Sequence, residues 1–245
     1  MSTRATGLTR VSPRSRSRDH LRDVYRALAS EYSYDEWHWN EALLRGPLDM
    51  PVSAVLVQHT TWQNAERALE QLREAGALDA GVLLSLPEDR IAALTRVSGT
   101  PTVKARRLRA LAALIVDAGG IDALLALPAD KLRARLLATH GIGPETADAI
   151  VLYAAGRPAF VVDAYAQRLF RRIGIGPESD RYADWQRWLE GELAGEDAAY
   201  FQRYHAYIVF HCKRVCRAVP RCASCLLAAD CDEGRRRLGF TGGGR

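Results

Sequence analysis

Apolar residues recur at three- and four-residue spacing along most of the chain. "DHLRDVYRALASEY" (19–32), "TVKARRLRALAALIVDAG" (102–119) and "DKLRARLLATHG" (130–141) each set a hydrophobic stripe on one face of a helix. No convincing run alternates with the two-residue period of a strand. Two stretches, "LSLPEDRIAALTRVSG" and "LALPADKLRARLLATHG", share a phrase in which Leu-Pro opens a helix and Gly closes it. The pattern predicts short helices joined by tight turns in an all-α fold. It fades at both ends, which predicts a disordered basic tail over 1–18 and a flexible tail over 234–245, ending in "TGGGR".

Composition narrows the class. With 245 residues, 48% hydrophobic and 26% charged, the chain can bury a sizeable core as a soluble protein. No window approaches the roughly 18 apolar residues that span a bilayer, and no apolar signal segment opens the sequence. The expected location is cytoplasmic; the Ser/Arg-rich start leaves organelle targeting open. The net charge of +5 resides in that start, where Arg4, Arg10, Arg14, Arg16 and Arg18 meet no acid. Within the neutral remainder, basic residues cluster at Lys104, Arg106, Arg107 and Arg109, at Arg168, Arg171 and Arg172, and at Lys213, Arg214, Arg217 and Arg221. Such clusters suit a polyanion.

All five cysteines lie between positions 212 and 231, a segregation that argues against a disulfide framework. Cys216, Cys222, Cys225 and Cys231 are spaced C-x5-C-x2-C-x5-C, so four thiolates can converge on one metal centre. A single CxxC pair favours a [4Fe–4S] cluster over zinc. Cys212 is surplus, read as a small buried neighbour, with the role of alternative ligand left open.

In "HGIGPETADAIVLYAAGRPAFVVDAY" (140–165), Gly141 and Gly143 form a turn between helices, with Gly143 as a cap and Pro144 in the first helical turn. Glycines allow close approach, and amides at a helix N-terminus suit a phosphate. Asp163 follows "AFVV" and precedes the amphipathic "AYAQRLFRRIG", the position of a helix cap. A carboxylate held against a hydrophobic wall also has what catalysis asks of one.

Taken together, the hairpin, its trailing aspartate and the cysteine loop resemble the endonuclease III, or helix-hairpin-helix-GPD, superfamily of DNA glycosylases, from about residue 20 to 232. The resemblance implies two interlocked helical domains, a six-helix barrel bearing the hairpin (46–158) and an iron–sulfur domain (159–233), with N-terminal helices (19–45) packing on the latter. It places the active site in the cleft between them. Asp163 becomes the catalytic carboxylate. Gly141, Ile142, Gly143 and Thr146 of the hairpin become contacts to double-stranded DNA, as do Gln58 and His59 in "AVLVQHTTWQNAERALEQL" and the basic Lys213, Arg214, Arg217 and Arg221. Gln58 is expected to fill the gap left by an extruded base.

Two departures shape the expectation. Members of the family that also cut DNA carry a lysine where this chain has Glu145, and the first cysteine gap is usually six residues where here it is five. A carboxylate cannot form the Schiff base that a lyase needs. The expected enzyme is therefore a monofunctional glycosylase, acting as a monomer on damaged duplexes. The aromatics of "EWHWN", Trp37, His38 and Trp39, with Trp62, form a candidate base pocket suited to alkylated purines. This resembles the 3-methyladenine branch of the superfamily, which also has an acid at the hairpin position. The alternatives are a bifunctional enzyme for oxidised pyrimidines with an amine recruited from Lys104, and a non-catalytic DNA-binding iron–sulfur protein.

Overall fold

The computed structural model describes residues 13–40 and 44–240, and every described element is helical. The expected tails at 1–12 and from 241 lie outside the described residues. Helix α1 (Pro13–Glu31) starts before the boundary expected at residue 18, since Pro13 provides a start and the Leu/Val/Ala face follows. Helix α2 (Asp49–Leu56) is buried throughout. Helix α3 (Trp62–Glu74) opens on Thr61, whose hydroxyl accepts from the Asn64 amide. Asp79 caps α4 (Ala80–Ser85) in the same way. Pro87 and Pro128 immediately precede α5 (Glu88–Thr95) and α8 (Ala129–Leu137), as the shared Leu-Pro phrase predicts. Between them run α6 (Pro101–Asp117) and α7 (Ile121–Leu125). The short α9 (Pro144–Ala149) passes into a π-helical turn, Ile150–Ala154. The later helices are α10 (Ala164–Ile173), α11 (Tyr182–Glu192), α12 (Ala198–Arg214) and α13 (Asp232–Leu238). No helix among the described residues is long and apolar enough to cross a membrane.

The chain divides into two units. The hairpin unit comprises 33–163 and 196–206; the cysteine unit comprises the described residues up to 32, then 164–195 and 207–240. This differs from the expected boundaries. Residues 33–40 join the hairpin unit because Trp37 and Trp39 pack on Tyr153 and His205 of that unit. The start of α12 joins it too, through Phe201 and Tyr204 against Phe160. Helix α13 occupies part of the expected C-terminal tail, its first-turn Glu233 holding Arg236 and Arg237 of the last turn.

In the hairpin unit the core is aliphatic, with Val52, Leu56, Leu72, Leu108, Leu132 and Leu136 essentially closed to solvent. Lys104 and Asp148 are among the polar residues buried in it. Lys104 is wholly buried and its Nζ donates to the carbonyls of Leu56, at 2.6 Å, and Ser98. The carboxylate of Asp148, fully buried, accepts Arg133 Nε at 2.6 Å and Nη2 at 3.1 Å, a two-pronged bond from α8 to α9. Removing the guanidinium strands the carboxylate. We therefore expect Arg133→Met to destabilise the protein by about 3 kcal/mol, measured by urea unfolding; a loss under about 0.5 kcal/mol, the range of an ordinary surface change, would contradict this role.

Candidate active site and cysteine centre

The hairpin turn is bolted to the loop after α2. Gly143 caps α9 with extended backbone and Pro144 follows at the first helical position. Gly141 has φ +79°, and a Cβ there would lie 2.2 Å from Arg107 Cγ, so both the conformation and the close passage of Arg107 require glycine. Arg107 donates to Gln58 Oε1, while Gln58 Nε2 donates to Thr146 Oγ1 at 2.9 Å and to Gly141 O at 3.3 Å. Gln58 and Thr146, both expected to contact DNA, here bond to each other. The Ile142 side chain is buried and its amide donates to Thr139 O at 3.1 Å, so it points into the turn and not outward. Gly143 is exposed at the turn, and His59, next to Gln58, is exposed with φ +57°, a sparsely populated conformation for a residue with a side chain.

Asp163, at the N-cap position of α10, is 8% exposed. Around it in the hairpin unit stand two groups the motifs do not mark, His205 of α12 and Tyr153 of the π-helical turn. His205 Nε2 is 3.6 Å from Asp163 Oδ2, and its Nδ1 is 2.8 Å from the Tyr153 hydroxyl. Glu145 is solvent-accessible, yet surrounding protein that strips water from its carboxyl, and then the nearby Asp163, push its pKa up to about 7 against the opposing pull of His205. Burial likewise pushes the Tyr153 hydroxyl well above the ordinary phenol range. Nothing in the sequence marks His205 as distinct from an ordinary core histidine in an apolar helix; Asp163 lies 42 positions earlier in the chain.

The aromatic residues form one cluster. Trp37 and Trp39 are buried, and Trp39 Nε1 donates to Ser53 Oγ at 2.9 Å. Trp62, half-buried, stacks on His38 with centroids 3.7 Å apart, and His38 in turn meets Trp37 at 4.0 Å.

The basic clusters separate by use. Lys104 is in the core with its pKa lowered to about 8 by burial and then by Arg107, Arg106 pairs with Glu88, and Arg109 donates to Leu86 O. That cluster is structural: α6 lies against neighbours whose carboxylate and carbonyls take up the charges. Arg168 and Arg172 wrap the cysteine loop through the carbonyls of Cys212, Cys216, Arg217 and Ala218. Lys213, Arg214, Arg217 and Arg221 are exposed in the cysteine unit. Arg214 also lies over the rings of Tyr32 and Phe210.

Cys216, Cys222, Cys225 and Cys231 line one pocket in that unit, walled by Leu169, Ile173 and Leu227. No group of three His, Cys, Asp or Glu side chains among the described residues is arranged to hold a metal ion, although four thiols share this apolar pocket. Cys216 is held at a pKa of about 6 by a hydrogen bond from Cys212 and by Arg172, whose Nη1 is 3.3 Å from its sulfur. Cys212 itself is buried. A Cβ at Gly234 would meet Ala228 O at 2.5 Å, so glycine lets α13 press against this loop.

An all-helical fold with a Gly-Ile-Gly hairpin and a buried aspartate beside it defines a class, and the comparisons agree. Residues 52–193 match the HhH-GPD superfamily of base excision DNA repair proteins. The chain belongs to that superfamily and is a base excision repair DNA glycosylase of it. It is 36% identical over 212 residues to a Methanocaldococcus jannaschii protein named as a DNA repair glycosylase, covering 85% of this chain and 94% of that one. Its fold is similar to endonuclease III in a non-covalent DNA complex (TM-score 0.75, 24% identity, 91% and 98% of the two chains). It is also similar to the 3-methyladenine DNA glycosylase of H. pylori bound to 1,N6-ethenoadenine (TM-score 0.67, 25% identity, 81% and 97%).

Because the folded pKa of Glu145 lies above its ordinary value, its contribution to stability is fully present below about pH 4.5 and lost as pH rises through about 7. Glu145→Gln removes that dependence. The variant should melt higher than the native protein at pH 8, with the difference narrowing towards pH 4.5, in fluorimetric melts across that range; a constant difference would contradict the elevated pKa.

Proposed function

We propose that the protein is a monofunctional glycosylase that hydrolyses the N-glycosidic bond of an alkylated purine in duplex DNA, with Asp163 as the catalytic carboxylate. The observation carrying this reading is Glu145, with its raised pKa, beside Asp163 at the hairpin position where the lyases of the family hold an amine. The chain has three lysines, Lys104, Lys131 and Lys213. Lys104, the amine considered for a lyase, is wholly buried with its ammonium on two carbonyls. Lys131 is on the exposed side of α8, and Lys213 follows Cys212 near the end of α12.

Base loss builds positive charge on the sugar, which an ionised Asp163 stabilises while it orients the attacking water. An alkylated purine is cationic in the nucleotide and leaves as a neutral base, so no strong general acid is required. Trp37, Trp39 and Trp62 supply rings that attract such a cation. The structural likeness to a 3-methyladenine glycosylase supports the same substrate class. Gly141 and Gly143 of the hairpin, with the exposed Lys213, Arg217 and Arg221, serve the phosphates.

We further propose that Cys216, Cys222, Cys225 and Cys231 hold a [4Fe–4S] cluster, which would tie the loop, α10 and α13 together as a structural element. Iron analysis should return about four irons per chain; stoichiometric zinc without iron would refute the cluster.

Asp163→Asn should slow single-turnover release of methylated purines from dimethyl sulfate-treated duplex by about 10²–10⁴-fold. Borohydride should trap no protein–DNA adduct with the native chain, and trapping at the turnover rate would establish the bifunctional alternative. Binding without release of any base across alkylated, oxidised and deaminated duplexes would favour a non-catalytic role.

A further inference from the structure

His205 is buried in α12, yet it sits in a polar chain, flanked by Trp37 edge-on at 5.5 Å and Trp39 in parallel at 6.5 Å. Its Nδ1 is 2.8 Å from Tyr153 Oη, which also lies 3.1 Å from Gln202 O. Gln202 Nε2 donates to Leu152 O at 2.9 Å, so α12 and the π-helical turn are fastened together at this point. On the other side His205 Nε2 faces Asp163 Oδ2 at 3.6 Å, an electrostatic contact too long for a hydrogen bond.

Proton accounting limits what the imidazole can do. The Gln202 carbonyl only accepts. If the Tyr153 hydrogen goes to that carbonyl, Nδ1 donates to the phenol oxygen, and a favourable contact with Asp163 requires a second hydrogen on Nε2, making an imidazolium. If the Tyr153 hydrogen goes to Nδ1, the neutral ring carries its hydrogen on Nε2. In both favourable arrangements an N–H faces the carboxylate. The remaining arrangement sets a lone pair against the anion and is repulsive. Burial keeps the Tyr153 hydroxyl protonated, so the anchor persists across the working pH range.

We propose that His205 is a positioning residue: anchored through Nδ1 by Tyr153, it presents Nε2–H to Asp163 and holds that carboxylate in the orientation in which it directs the attacking water. The proposal rests on the reading of Asp163 as the catalytic carboxylate. Titratable groups that face this pair include Glu145 from α9, and Tyr153 of the π-helical turn with Tyr34 (of the 3₁₀ turn Tyr34–Glu36) acting on it.

The test follows the six histidines by NMR in ¹⁵N-histidine-labelled full-length protein. The His205 signal is identified by its loss in His205→Gln or, if that variant does not fold, by its displacement in Tyr153→Phe. Nε2 of His205 should carry a hydrogen, seen as a pyrrole-type ¹⁵N shift, and Asp163→Asn should displace that signal; an Nε2 signal unchanged by the substitution would overturn the pairing. In single-turnover release from dimethyl sulfate-treated duplex, Tyr153→Phe and His205→Gln should lower the rate at saturating protein while leaving the protein concentration for half-maximal rate unchanged. A loss that only follows the loss of folded protein would mark a merely structural histidine. Full activity in Asp163→Asn would sink the catalytic reading of Asp163 instead, while the Nε2 signal still decides the pairing separately.

Discussion

An ionisable group is costly to pack against protein unless the protein does the work of the water it displaces, and this constraint organises the hairpin unit. Surrounding protein that strips water from the Glu145 carboxyl, and then the charge of nearby Asp163, push its pKa up to about 7. The polar chain from Gln202 through Tyr153 to His205 ends on Asp163.

The rest of the unit holds those groups still. Arg133 of α8 grips Asp148 of α9, so the helix carrying Glu145 is anchored from below by a charge pair. Arg107 crosses Gly141 and reaches Gln58, while Gln58 returns to Thr146 and the turn. Lys104 closes the end of α2 from inside. Asp148, Lys104 and Gln58 each find partners within the unit, which is the condition for burying polar groups at low cost. The hairpin is therefore positioned by ion pairs and amide bonds as much as by its apolar face.

Much of this was legible in the chain. Helices follow the 3.6-residue apolar period, the Leu-Pro starts fall immediately before α5 and α8, and Gly143-Pro144 opens α9. The four cysteines line one pocket, as their spacing within a single stretch of sequence suggests. What escaped is of a different kind. His205, Tyr153 and Arg107 act through partners 42 to 52 positions away, and no local spacing encodes such pairs. Charge clusters misled for the same reason: Lys104, Arg106 and Arg109 look like a polyanion patch in one dimension, whereas the fold turns them onto carbonyls and a glutamate. Residues 33–40 and 196–206 are distant in sequence but share one aromatic cluster, so no local pattern reveals that they belong to one unit.

The scarcity of lysine has a consequence for the end of the proposed reaction. Three lysines against thirty-one arginines leave few primary amines on the protein. An abasic sugar is a latent aldehyde, and aldehydes condense with amines but not readily with guanidinium groups. A surface that holds phosphates mostly through arginine, with Lys213 as the exception, can grip such a product with few amines to catch it covalently. Departure from DNA then depends on exchanging ion contacts with salt, a reversible step, and not on hydrolysing an imine.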